Sequence, residues 1–269
     1  MNHQTRRGFL GLVSVSATAL LPERPALALE GHDAAPGSLD DACTLTPRSE
    51  EGPYYLDPKL IRSDVTEGKP GVPLSLRLRV IEAGSCAPLT GARVDIWQCD
   101  ARGLYSAFRD QGDGHNIDQT GKTFLRGTQI ADTRGWAVFN TIYPGWYAGR
   151  ATHIHFKVFL DERTVLTGQT FFPEALNEFI YNNVPDYAGR PKQRLVINAN
   201  DRVATGSDPD HHVYCAVKEE RDRYVAMLTL AVDRSANMAA DAPTGPPSRA
   251  PWIKDRLAAL VPGLKRSPF

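Results

Sequence analysis

Leu74-Ser75-Leu76-Arg77-Leu78-Arg79-Val80 places an apolar side chain at every second position, with Ser75, Arg77 and Arg79 between them. Successive side chains of an extended strand point to opposite faces, so a period of two predicts a strand with one face in a core. Shorter runs of similar character recur at 92–97, 136–142, 153–159, 194–198, 213–217 and 224–232. Turn signals separate several of them, among them Asp132-Thr133-Arg134-Gly135 and the Gly112-Asp113-Gly114 loop. Many short strands divided by glycine- and proline-rich turns predict an all-β chain: a β-sandwich core with short helices and irregular loops. Helix is scarce. Residues 173–181 predict two turns, with Pro173 at the first helical position and Glu174 in the first turn.

The sandwich is expected over residues 43–233, with a tail on each side. Residues 1–28 read as an export signal: Thr5-Arg6-Arg7-Gly8-Phe9-Leu10 is a twin-arginine pattern, a weakly apolar stretch follows to Leu21, and Ala26-Leu27-Ala28 is a cleavage site. The protein is therefore expected outside the cytoplasm. Residues 29–42 form a flexible leader. At the other end, 234–269 combine a Pro- and Ala-rich linker with Trp252, Ile253, Leu257, Leu260 and Val261 at helical spacing. That spacing predicts a short amphipathic helix that docks on the domain itself or on a partner subunit, so a homo-oligomer is compatible with the chain.

Bulk composition narrows the function. The chain carries 31 basic and 31 acidic residues for a formal net charge of zero. No basic excess exists to neutralise phosphates, so nucleic acid is not an expected partner. Beyond the signal no apolar run nears the ~20 residues of a bilayer-spanning helix, so stable membrane insertion is not expected either. The cysteines are Cys43, Cys86, Cys99 and Cys215. None has C-x-x-C spacing, which argues against zinc or iron–sulfur sites and for structural disulfides with any remainder buried.

Chemistry centres on His153-Ile154-His155. On a strand, residues i and i+2 share a face, so both imidazoles can reach one metal ion. Alone, an H-x-H pair is more often incidental. Upstream, Pro144-Gly145 and Gly149 break the chain and let Tyr147 fold back toward the histidines. Further upstream, Asp95-Ile96-Trp97 runs into a glycine-containing loop that presents Tyr105.

Taken in order, several pieces resemble the intradiol ring-cleavage dioxygenases, in particular their single-chain, protocatechuate-dioxygenase-like branch. They are Glu51-Gly52-Pro53-Tyr54-Tyr55, the D-I-W-Q-C-D-A-R-G-L-Y-S stretch at 95–106, P-G-W-Y at 144–147, R-A-T-H-I-H-F at 150–156 and Thr167-Gly168-Gln169. The resemblance spans about residues 43–232. It implies a non-haem Fe(III) held by Tyr105, Tyr147, His153 and His155, with Tyr105 and His153 equatorial and Tyr147 and His155 axial. It implies a catechol-type substrate and O2 as reaction partners, opened between the hydroxyls to a muconate-type dicarboxylate. Arg150 is then expected against the substrate, where it stabilises negative charge on the ring. Gln169 is expected close to iron and ring, and Tyr54 in the pocket wall. Tyr147 is the ligand that substrate displaces, and its phenolate acts as a base. A hard trivalent ion suits this set, because it pulls the phenol pKa far below its usual ~10 and two phenolates offset much of its charge.

Departures matter too. The stretch between Tyr147 and His153 is short, which predicts an open pocket mouth, and the helical dimerisation domain of the catechol-specific branch is not expected before residue 43. His211 and His212 read as solvated, and His115 as exposed or flanking the pocket; the segment around Asp186 and Tyr187 offers a possible pocket wall. Two other readings compete: a His-based Fe(II) or zinc enzyme completed by a carboxylate, and a non-catalytic extracellular sandwich module. The residues do not choose among hydroxyquinol, catechol and protocatechuate.

Overall fold

The Leu74–Val80 alternation lies inside β1 (Pro73–Glu82), where Leu74, Leu76, Leu78 and Val80 are at most 2% exposed. The structure, a computed structural model, describes residues 43–57, 59–190 and 192–238. The remaining strands are β2 (Arg93–Trp97), β3 (Arg126–Ile130), β4 (Trp136–Ile142), β5 (His153–Leu160), β6 (Arg163–Phe171), β7 (Ala216–Glu219) and β8 (Tyr224–Val232). They form two four-stranded sheets, ordered β4-β1-β8-β7 and β3-β2-β5-β6. All pairings are antiparallel except β1 with β8, which run parallel from Leu74↔Tyr224 to Glu82↔Val232. The expected sandwich is what forms.

Between the sheets, Leu76, Leu78 and Val80 share a core with Val94, Ile96, Ile154, Phe156 and Val158. Each such burial contributes roughly 2 kcal/mol before chain entropy is subtracted. On β5 the even-numbered residues enter this core, so His153, His155 and Lys157 must point to the opposite face of their sheet. There, one cross-strand row carries Arg126, Trp97, His155 and Gln169 as direct neighbours on β3, β2, β5 and β6. The next row carries Thr128, Asp95, Lys157 and Thr167. These side chains are buried although they face away from the core. The chain from Ser49 to Asp57 helps to cover them: Ser49 N–H bonds to Thr167, Tyr55 Oη donates to Asp95 at 2.9 Å, and Glu51 pairs with Lys157.

Several local expectations need correction. Residues 194–198 are not a strand; Leu195 is 73% exposed, and the segment is held by Arg194 pairing with Glu174 and Glu178 and by Asn198 Nδ2 donating to the Phe172 carbonyl. The run at 213–217 starts too early, because Val213 and Cys215 bond to Phe171 of one sheet before β7 joins β8 in the other. Pro173 is the N-cap of α1 (Glu174–Asn183), one position before the helix. β3, β6 and α2 (Arg202–Ser207) carry no period-two or amphipathic signal and were not expected. A disulfide joins Cys43 to Cys86, while Cys99 and Cys215 are free and buried. The export segment, the leader and the amphipathic helix at 251–261 lie outside the described residues. Among the described residues no helix is long and apolar enough to cross a membrane.

Candidate metal centre

The Tyr105 loop leaves β2 and turns on Asp100, whose side chain accepts from the N–H groups of Arg102 and Leu104. Gln111 Oε1 accepts from Tyr105 N–H at 3.0 Å and fixes the residue from the far side. The Tyr147 segment leaves β4 and is laid against the same loop at Gly145, whose N–H bonds to the Asp100 carbonyl at 3.2 Å. A Cβ on Gly145 would collide with the carbonyl oxygens of Asp100 and Ala101, so only glycine lets the two tyrosine-bearing segments meet.

The four expected ligands converge. His153 Nε2 lies 3.1 Å from Tyr147 Oη, 3.4 Å from Tyr105 Oη and 3.2 Å from His155 Nε2. His153 Nδ1 sits 2.6 Å from the Ala151 carbonyl, so the proton belongs on Nδ1 and the Nε2 lone pair points into the cluster. His155 is clamped flat by Trp97, with ring centroids 4.7 Å apart and planes 10° from parallel. Gly52, at φ +75°, passes over its other side; a Cβ there would stand 3.2 Å from His155 Cε1.

Burial sets the protonation states. It drives His153 down to about 3, with Arg150 adding to the effect, and drives His155 well below the usual imidazole value, so both rings are neutral donors. Burial pushes the Tyr105 and Tyr147 phenols up, against the pull of Arg150. At both phenols burial outweighs this guanidinium, so ionisation needs a stronger cation. Two neutral nitrogens and two oxygens that need a strong cation to ionise form a donor set that fits a hard trivalent metal. Among the described residues no three His, Cys, Asp or Glu side chains gather in one place, so no carboxylate completes a site with the two histidines.

Arg150 lies beside the cluster and is 8% exposed. Burial works against its charge, but Tyr147 and Asp201 outweigh burial and keep it protonated. Its Nη2 donates to Gln169 Oε1, and Gln169 is anchored in turn to the Glu50 carbonyl at 3.0 Å. Tyr54 stacks on Tyr105 with centroids 4.5 Å apart. A cleft walled by Tyr54, Gly112, His115 and Lys192 opens onto Tyr105 and Tyr147. His115 is exposed and also flanks this cleft. His211 is exposed, and His212 caps Asp208 at 3.1 Å. Tyr187 is buried against Tyr143 and Val72, and Asp186 lines a separate cleft with Lys69 and Arg102, so neither forms a wall of this pocket.

Two participants escaped the sequence. Asp201 is fully buried and accepts from Arg150 Nε at 2.9 Å and from Ala151 N–H at 2.7 Å, while its second oxygen caps α2. An Asp before a short helix is an ordinary cap signal, and nothing local ties it to residues fifty positions upstream. Arg126 is fully buried on the site face of β3.

Comparisons with known proteins identify the family. The family profile described as Dioxygenase matches residues 50–218, more than half of the chain. The protocatechuate 3,4-dioxygenase beta chain of Burkholderia cepacia is 34% identical over 142 residues, 47% of this chain and 59% of the relative. Catechol 1,2-dioxygenase of Acinetobacter baylyi is 28% identical over 194 residues, 64% of this chain and 57% of the relative. The chain thus spans a little under three-fifths of these relatives' lengths. Among solved structures, the intradiol ring-cleavage dioxygenase from Tetranychus urticae is 29% identical, with a TM-score of 0.66 covering 74% of this chain and 98% of that one. The chain belongs to the intradiol ring-cleavage dioxygenase family.

Proposed function

We propose that this protein is an exported non-haem Fe(III) dioxygenase that cleaves catechol-type aromatic diols between their hydroxyls, consuming O2 and yielding muconate-type dicarboxylates. The observation that carries this reading is the meeting of Tyr105, Tyr147, His153 and His155 within 3.4 Å of one nitrogen, with Arg150 and Gln169 alongside. Those four side chains would hold the metal. Fe(III) bound there would supply Lewis acidity toward the diol.

The protein's own groups then divide the work. Tyr105 is buried, while Tyr147 is half-buried at the cleft through which a diol would enter. Its phenolate oxygen takes a hydroxyl proton from the incoming diol, a general-base role. Arg150 is held charged and aimed by Asp201, and it stabilises the negative charge that develops on the ring. Gln169 fixes the other edge of the same guanidinium. Tyr54 lies face to face with Tyr105 and offers an aromatic wall for the substrate ring.

Export rests on the twin-arginine pattern at 5–10, and a route that carries folded proteins suits a metal loaded before transport. The test is oxygen-electrode and absorbance screening of iron-loaded protein against catechol, hydroxyquinol and protocatechuate. Oxygen uptake with at least one, by a burgundy protein, supports the reading. A colourless iron-loaded protein without uptake refutes it.

A further inference from the structure

Arg126 is wholly buried, and every partner it has is neutral. Nε donates to Ser106 Oγ at 2.8 Å, Nη2 to the Ser106 carbonyl at 2.8 Å, and Nη1 to the Tyr54 carbonyl. The other buried basic residues are treated differently: Arg150 is paired with Asp201 and Lys157 with Glu51. The partly buried Arg190 and Arg194 also have carboxylates, from Asp113 and Glu174. Among the described residues no carboxylate forms an ion pair with Arg126. A guanidinium taken out of water without a counter-charge is strongly disfavoured, so its retention here calls for an anion.

The position of Arg126 names that anion. It stands in the same cross-strand row as Trp97, His155 and Gln169, on the face that carries the metal ligands. Its guanidinium carbon is 6.0 Å from the Tyr105 ring centroid, and its hydrogen bonds grip Ser106, the next residue in the chain.

Resting on the ferric reading of the site, we propose that Arg126 is the built-in counter-charge of the Tyr105 phenolate, a positioning residue that makes Tyr105 the permanent anionic ligand. Without the metal, Arg126 has only the neutral Ser106 and Tyr54 groups as hydrogen-bond partners. With the metal bound, the phenolate and the guanidinium satisfy each other at a tyrosine that is 1% exposed. Tyr147 has its cation in Arg150, at the cleft, where substrate also needs it. Arg150 acts on Tyr105 as well, so the two tyrosines share that charge, and Arg126 is the fixed charge that Tyr105 has in addition.

The experiment compares Arg126→Gln, which keeps hydrogen-bonding capacity without the charge, with Arg126→Lys, which keeps the charge without the planar fork. Three readouts are taken: the energy of the tyrosinate-to-iron charge-transfer band, the rate of iron loss to a ferric chelator, and the melting temperature without metal. The proposal expects Arg126→Gln to shift the band to lower energy and to lose iron faster by roughly tenfold, as one unscreened charge at this range allows. It expects Arg126→Lys to stay near the wild type in both, and metal-free Arg126→Gln to melt close to the wild type. A wild-type band and rate in Arg126→Gln would overturn it. So would a lysine variant as damaged as the glutamine one, or a glutamine variant unable to fold without metal, since either assigns Arg126 to the scaffold. Absence of any charge-transfer band in the wild type is a separate failure, that of the ferric site itself.

Discussion

Asp201 accepts the Nε–H of Arg150 at 2.9 Å and, through the same oxygen, the N–H of Ala151 at 2.7 Å. The Ala151 carbonyl in turn receives the Nδ1–H of His153. One buried carboxylate therefore aims the Arg150 guanidinium and steadies the residue that sets the His153 tautomer. Asp201→Asn keeps the shape but weakens the hold on Arg150. The expected outcome is an iron-loaded, coloured protein whose turnover falls by on the order of tenfold to a hundredfold. Stopped-flow absorbance and steady-state oxygen uptake check it; a colourless variant would mean that Asp201 acts on the metal rather than on Arg150.

The same carboxylate makes a pH prediction. Burial opposes its ionisation, but the Arg150 charge and hydrogen bond, with the Ala151 and Ala204 N–H groups, outweigh burial and hold the carboxyl at about 2. A folded-state value below the unfolded ~3.9 stabilises the fold above the unfolded value, and this stabilisation is lost as pH falls through the folded one. Acid unfolding between roughly pH 4 and 2 should thus be steeper in the wild type than in Asp201→Asn. Thermal melts over that range measure it.

Arg150→Ala separates metal binding from chemistry. Because Arg150 is not one of the donors that meet at His153 Nε2, its loss should leave the iron colour intact. Turnover should drop by about a hundredfold or more, the usual scale for removing one preorganised charge-stabilising group. Normal turnover in Arg150→Ala would contradict the role given to it.

The tyrosines should not behave alike. Tyr105→Phe removes the buried anionic donor and should cost both iron affinity and visible absorbance. Tyr147→Phe removes the half-buried donor at the cleft and should retain more iron than Tyr105→Phe, with weaker colour and impaired proton uptake. Metal analysis and visible spectra of the two variants decide the order.

Gly52→Ala tests the chain that roofs the site. The residue has φ +75°, and its added Cβ would press on His155 Cε1 at 3.2 Å. A destabilisation of about 1–2 kcal/mol is expected, with faster iron loss, because the strain falls on a metal-ligand ring. Unchanged melting and iron retention would mean that this segment yields freely.

The first sheet was legible because Leu74, Leu76, Leu78 and Val80 have one apolar and one polar face. The second sheet was only partly so. β6, Arg163–Phe171, is buried on both faces over most of its length, and β3 turns Arg126 and Thr128 toward a covered polar layer, so neither alternates. The meeting of the two histidines was readable from H-x-H, and that of the tyrosines from their glycine-bearing loops together with the family resemblance. Asp201 and Arg126 were not, because their significance lies in partners distant along the chain. The false strand at 194–198 shows the converse: an apolar run without a neighbouring edge to bond to stays irregular.

The central claim is tested most directly by following labelled dioxygen. Iron-loaded protein is given catechol, hydroxyquinol and protocatechuate in turn under isotopically labelled O2, and the products are examined by mass spectrometry. The account predicts a cis,cis-muconate-type dicarboxylate carrying both labelled atoms. A ring opened beside the hydroxyls to a semialdehyde, or all three diols recovered unchanged from a fully iron-loaded enzyme, would contradict it.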